Sequence, residues 1–276
     1  MVTIVKASGE KQPFSEEKLL HSIRRAGIPE ALHEKVVNHI KNRLHEDMTT
    51  AEIYYHIGEF LGESTHPYTR ARYALKQAIM DLGPTGYPFE DFLAGLMKEM
   101  GYTTNIRTVV SGRCVTHEID VIAEKHTVMP NKIMVEAKFH NQVGIHTNIH
   151  VALYTKARFD DVKDKNKFTE AWLVTNTKAS TDAIAYANCV RMNLVSWSYP
   201  EGDSLRDWVE RYHMYPITVL TTLSPTQKQQ LFEKGIVLCR DICQKHAVLQ
   251  TLNLPTHKME DIIKEVEFVC DTHPKS

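Results

Sequence analysis

The hydrophobic spacing of this 276-residue chain changes period at Gly83-Pro84-Thr85-Gly86, and that change excludes a uniform helical bundle or a uniform β-fold. Before the breaker, TIVKASGEKQPF alternates polar and apolar residues around Ser8-Gly9, the pattern of a short hairpin. Helical spacing follows. Ser15 is an N-cap ahead of Lys18, Leu19, Ile23 and Ala26, and Gly27-Ile28-Pro29 stops that helix. Val36, Val37, Ile40 and Leu44 predict a second helix, Thr50 ahead of Ile53, Ile57, Phe60 and Leu61 a third, and Ala71, Tyr73, Ala74 and Ala78 a fourth. A hairpin with four helices makes residues 1–83 a small α+β domain.

Beyond the breaker, Phe89 to Met100 reads as a helix ending at Gly101, and extended segments at 103–111, 116–124 and 131–139 follow, separated by Ser111-Gly112 and Pro130-Asn131. A meander is the simplest arrangement. A helix over 148–164, the apolar run AWLVT, a helix from Thr181 to Met192 and the run LVSWS then predict a β-α-β crossover with buried parallel strands. Residues 84–213 are thus expected to form a mixed α/β sandwich. Residues 214–276 hold three further helical patterns and are expected to be a small helical accessory domain.

Net charge is −1, with basic and acidic residues balanced in each of the three segments, which excludes coating of nucleic acid by bulk positive charge but not a local cleft. No apolar run reaches the roughly 18–20 residues of a membrane span, and the first residues lack the apolar core of a signal peptide. A soluble, cytoplasmic protein is expected. Cys114, Cys189, Cys239, Cys243 and Cys270 form no CxxC pair, so reduced and mostly buried thiols are expected.

The chemistry concentrates on two strands. In VEAKF, alternation places Glu136 and Lys138 on one face, and Asp120 of HEIDV can sit opposite Glu136 if the strands pair. Two carboxylates with open positions suit Mg²⁺, which keeps several waters and completes its shell from phosphate. Asp120 followed by Glu136-Ala137-Lys138 resembles the PD-(D/E)xK nuclease signature, and FEDFLAGLMKEMGY, HEIDVIAEK and IMVEAKFH together resemble its Mrr-like restriction endonuclease branch over about 84–200. The resemblance implies a restriction-endonuclease-like mixed sheet flanked by helices, and a Mg²⁺- or Mn²⁺-dependent endonuclease for double-stranded DNA, including type IV restriction of modified DNA. By it, Asp120, Glu136 and the Ala137 carbonyl are metal ligands, Lys138 is the catalytic lysine and Glu90 an accessory acid. The usual proline before the aspartate is Ile119 here.

The first segment resembles the ATP-cone, through VTIVKASGEKQPFSEEKLLHSIRRAG, MTTAEIYYHIGEFL and TRARYALKQA. That resemblance implies ATP or dATP as effector in a pocket lined by Lys6, Gly9, Gln12, Pro13, Phe14, Ser15, Glu16, Glu17, Lys18 and Thr50. Ala7 stands where the family is usually basic. No GxxxxGK[ST] occurs, so a bound nucleotide acts as a signal and not as fuel.

Other features carry less. His146 and His150 at i,i+4 suit zinc, with no evident third ligand, so hydrogen-bonding or surface histidines are the preferred reading; His140 directly after the EAK strand is a candidate for the cleft wall. Lys156, Arg158, Lys163, Lys165 and Lys167 interleave with acids, as on a solvated helix face with some phosphate contacts. Gly235 between two short helices is weakly similar to a helix-hairpin-helix, though a packing or dimerisation module is the preferred reading. Cutting both strands favours a homodimer. The alternative to the nuclease is a nucleotide-responsive DNA-binding regulator that keeps the fold without cleavage.

Overall fold

The computed structural model describes residues 2–6, 9–25, 28–62, 74–125, 131–142 and 144–270. Ser8, Gly27, Pro130, Ala7, and the start of the fourth helix at Ala71 and Tyr73 lie outside the described residues.

The N-terminal unit is built on strand β1 (Thr3–Val5), antiparallel to β2 (Lys11–Pro13) and parallel to β3 (Met48–Thr49). Gly9 takes φ +82°, a left-handed turn that favours glycine. Helix α1 (Glu16–Arg25) starts where expected, with the Lys18 N–H donating to Ser15 Oγ at 3.2 Å. Helices α2 (Glu30–Lys41) and α3 (Thr50–Gly62) follow. Thr49 caps α3: it and Glu52 exchange the reciprocal bonds of a capping box. Ile4, Ile23, Val36, Ile40, Met48, Ile57 and Leu61 close a core that belongs to this unit alone.

Helix α4 (Leu75–Met80) belongs elsewhere. Its Leu75, Ala78 and Ile79 are buried in the core of the second unit, with the Thr218 hydroxyl donating to the Ala78 carbonyl at 2.6 Å. That unit contains α5 (Tyr87–Glu99), β4 (Thr103–Ser111), β5 (Thr116–Lys125), β6 (Asn131–Lys138), β7 (His146–Thr147), α6 (Ile149–Asn166), β8 (Glu170–Thr175), β9 (Lys178–Ala179), α7 (Thr181–Cys189), β10 (Asn193–Val195) and α8 (Leu205–Tyr212). The main sheet runs β10-β8-β6-β5-β4. Its β4-β5-β6 part is the expected antiparallel meander, and β6, β8 and β10 are parallel, as the crossover pattern predicts. Val121, Ile133 and Val135 face a core shared with α5 and α8, and Ile122, Met134 and Leu173 face α6 and α7.

The last segment forms α9 (Pro225–Phe232), α10 (Cys239–Gln244) and α11 (Thr256–Cys270), with 3₁₀ turns at Ile217–Val219 and His246–Leu252. Its Leu231, Ile242, Ile262 and Val266 join the same core as α5 and the sheet, so it has no separate interior. Buried Glu265 accepts from the N–H and hydroxyl groups of Thr221 and Thr222 at 2.6–2.9 Å, which satisfies a charge that burial would otherwise penalise. The cysteine expectation fails here. Cys243 and Cys270 form a disulfide between α10 and α11, Cys114 and Cys189 are exposed, and Cys239 alone of the three free thiols is buried. Among the described residues no helix is long and apolar enough to cross a membrane.

Candidate active site and nucleotide pocket

Strands β5 and β6 pair from Lys125↔Asn131 to Val121↔Val135, and the ladder stops there, one step short of Asp120 and Glu136. The Ala137 N–H, released from the ladder, donates to Asp120 Oδ2 at 2.7 Å. In an antiparallel strand a residue's N–H and C=O point to the same side, so the Ala137 carbonyl also faces the Asp120 strand. On the other flank, β4 and β5 are in register on both sides of Arg107 and Asp120 but lose the pair itself, where Arg107 takes φ +46°. A non-glycine residue in that region is strained, and such strain gathers at functional sites. Asp120 thus lies at a break in both ladders.

Arg107 turns its guanidinium to helix α5, donating to Glu90 at 3.1 Å and to Asp91 at 2.7 Å. Glu90 is buried in the first turn of α5, and burial raises its pKa against the pull of Arg107, with the Asp120 charge raising it further. Burial also raises Asp120, opposed by the Ala137 N–H and by Arg158. Glu136 is pushed up to about 7, first by burial and then by the Asp120 charge, with Arg158 and Lys138 pulling the other way and Glu90 adding to the rise. The Asp120 charge thus acts on both Glu90 and Glu136, and the Lys138 charge on both Asp120 and Glu136. Burial and the Lys138 charge lower the pKa of His140, whose ring bonds Thr147 Oγ1 at 3.0 Å and whose N–H and C=O are both held by the Asn176 side chain.

Arg158 departs from the charged-face expectation. It is not on a solvated face: only 8% exposed, it donates to the Glu136 carboxylate through Nη1 and to the Glu118 carbonyl through Nη2. Its position was signalled by spacing, because Ala152, Thr155, Arg158 and Val162 form the buried stripe of α6. Lys156 and Lys163 do lie as a charged face would have them, both on Asp160. His146 lies on β7 and not on a helix with His150, and both are exposed. Among the described residues no three His, Cys, Asp or Glu side chains gather as a metal-binding group. The donor set at Asp120, Glu136 and the Ala137 carbonyl is two carboxylates and a main-chain oxygen, which fits a hard divalent cation that leaves much of its shell to water and phosphate.

In the N-terminal unit, a cavity of about 140 Å³ lies between β1, α1 and α3. Gln12, Phe14, Ser15, Lys18 and Thr50 line it, together with Ile4, Leu19, Ile53 and Tyr54, none of which the resemblance placed in the pocket. Lys18 Nζ is 3.4 Å from Gln12 Oε1. Lys6, Gly9, Pro13, Glu16 and Glu17 are not in its wall; Lys6 is paired with Glu10 at 2.8 Å and Glu16 with Lys41.

A sheet that splays around two carboxylates, with a lysine two residues beyond one of them, defines a restriction-endonuclease-like domain, here preceded by an ATP cone. The family models agree: the ATP cone domain matches residues 2–78, the Mrr-type restriction endonuclease domain 84–208, and the AF1548-like C-terminal domain 215–270. A protein of Archaeoglobus fulgidus, described only as uncharacterized, is 38% identical over 178 residues, which is 64% of this chain and 99% of that protein. The crystal structure of AF1548, a protein of unknown function, superposes with a TM-score of 0.58 at 36% identity, covering 67% of this chain and 98% of that one. This chain belongs to the AF1548-like family.

Proposed function

We propose that the protein is a divalent-metal-dependent endonuclease that hydrolyses DNA phosphodiesters, with its cone binding ATP or dATP as an effector. The observation that carries the reading is the meeting of Asp120, Glu136 and the Lys138 charge where the β5–β6 ladder opens. Asp120, Glu136 and the Ala137 carbonyl would hold Mg²⁺ or Mn²⁺, which supplies charge neutralisation at phosphate and a more acidic bound water. Asp120 is fixed in place by the Ala137 N–H, so its free oxygen is oriented before substrate arrives. Glu136 is held by Arg158, and Lys138, on the same face, offsets negative charge developing on the phosphate or takes a proton from the attacking water. Glu90, restrained by Arg107, serves as the accessory acid. The mostly apolar wall of the cone cavity suits a base, and Lys18 at the start of α1 suits a phosphate. Cleavage of both strands of a duplex is readily served by a homodimer.

The test is cleavage of methylated and unmethylated plasmid in Mg²⁺ with and without ATP, comparing wild type with Asp120→Asn and Lys138→Ala. Loss in both variants, by roughly 10²- to 10³-fold or more, is the expected result. Wild-type protein that binds DNA and leaves it intact would instead favour a nucleotide-responsive regulator.

A further inference from the structure

Arg158 is shared between the carboxylates and an open cavity of about 320 Å³. That volume is at the lower end of small-ligand pockets. The acids of its wall are already engaged. Asp161 accepts from the N–H groups of Cys114 and Val115 and from the His117 ring at 2.7–3.3 Å, and Asp160 holds Lys156 and Lys163. What the cavity offers a ligand is therefore cationic and aromatic. Arg113 is exposed at its edge. Buried Arg158 spends both terminal nitrogens on the Glu136 carboxylate and the Glu118 carbonyl, and its unpartnered Nε is closed to solvent, so it brings charge to the cavity and no free donor. The Tyr154 ring lies with its centroid 5.4 Å from the Arg158 guanidinium carbon and is 60% exposed.

We infer that this cavity is a subsite for one unpaired nucleotide of the DNA strand being cut, its base stacked on Tyr154 and its phosphate received by Arg113 at the edge. The inference rests on the nuclease reading and narrows its substrate. A base inside a duplex has both faces covered by its neighbours, so only an unstacked base can present a face to Tyr154 within a concavity. A single-sided aromatic platform beside an arginine is also how single strands are held without sequence preference. The exposed arginine at the edge is an acceptor-seeking group, which an oligonucleotide phosphate satisfies.

The experiment uses the full chain with Ca²⁺ in place of Mg²⁺, so that DNA is held uncut, and reads fluorescence anisotropy on three duplexes: fully paired, with one unpaired nucleotide, and with an abasic residue at that position. The unpaired nucleotide is expected to tighten binding about tenfold, the abasic residue to lose that gain, Tyr154→Ala to erase it and Tyr154→Phe to keep it. Equal affinity of wild type for all three, or a gain that survives Tyr154→Ala, overturns the subsite and leaves the nuclease reading standing when plasmid is still cut in Mg²⁺. Failure to bind or cut any of the DNAs overturns both. Cys114, exposed in the cavity wall, gives a second readout. The duplex with the unpaired nucleotide is expected to slow its alkylation relative to that of exposed Cys189, and equal rates with and without DNA would contradict the subsite.

Discussion

The cone and the catalytic body solve the same problem of burial in opposite ways. Among the described residues the cone closes its own core from three short strands and three helices, and its cavity is mostly apolar, with Lys18 at the edge. The body cannot be divided so simply: α4 from the cone side and the whole C-terminal segment complete a core that also contains α5 and one sheet face. Its site is charged and buried, with carboxylates raised by the loss of water and, at Glu136, by the Asp120 charge. A self-contained module suits reversible binding, whereas a site that holds like charges together needs rigid surroundings on every side.

Truncation gives the largest effect by which to break that comparison. A chain beginning at Ala74 is expected to fold and melt cooperatively, because the body's core takes no described residue before Leu75. A chain ending at His213 is expected to fail, because it uncovers the face on which Leu231, Ile242 and Ile262 pack. Circular dichroism and calorimetry decide, and a folded chain ending at His213 would mean that the last segment is separable after all. On the cone side, Lys18→Ala is expected to weaken ATP binding about tenfold, through loss of a charged hydrogen bond, while cleavage without nucleotide is unchanged. Calorimetric titration beside a plasmid assay would show it. Reducing the Cys243–Cys270 disulfide, or substituting Cys270→Ser, releases a cross-link spanning 27 residues and is expected to cost about 3 kcal/mol. Denaturant melts should show the loss in the body and none in the nucleotide affinity of the cone.

The smallest effect is one of pH. Hydrogen bonding to His117 and to two backbone N–H groups holds Asp161 well below the usual carboxylate range, after the cost of burial is met. A carboxyl with a depressed folded-state pKa binds its proton more readily when unfolded, so its contribution is complete above about pH 4 and is lost as pH falls through the folded value. Asp161→Asn should therefore lower the melting temperature near pH 7 and flatten the decline on the acid side. An unchanged pH profile between 2 and 7 would show that the turn between β4 and β5 does not depend on this ion.

Much of this was legible from local pattern. The alternation in HEIDV and VEAKF placed both strands, and the spacing of Glu136 and Lys138 placed their shared face, because period two is a local property. The crossover and the helix carrying Glu90 were equally legible. Partners distant in sequence were not. Arg158 stands among lysines and aspartates, where charge suggests a solvated face, and only its place in the stripe of Ala152, Thr155 and Val162 signals burial. Cys243 and Cys270 lie on different helices, with no spacing that announces a bond. The positive φ of Arg107 had no glycine to mark it.

Helix α4 closes a sequence stretch that resembles the cone, yet its apolar side is embedded in the body. Its Met80 sulfur accepts from the Asn176 amide, and the same side chain holds both backbone groups of His140, two residues beyond Lys138. Helix α4 therefore enters the body as a wedge. A wedge passes small displacements undiminished and resists large ones, since withdrawing it would open the interior of the catalytic body to water.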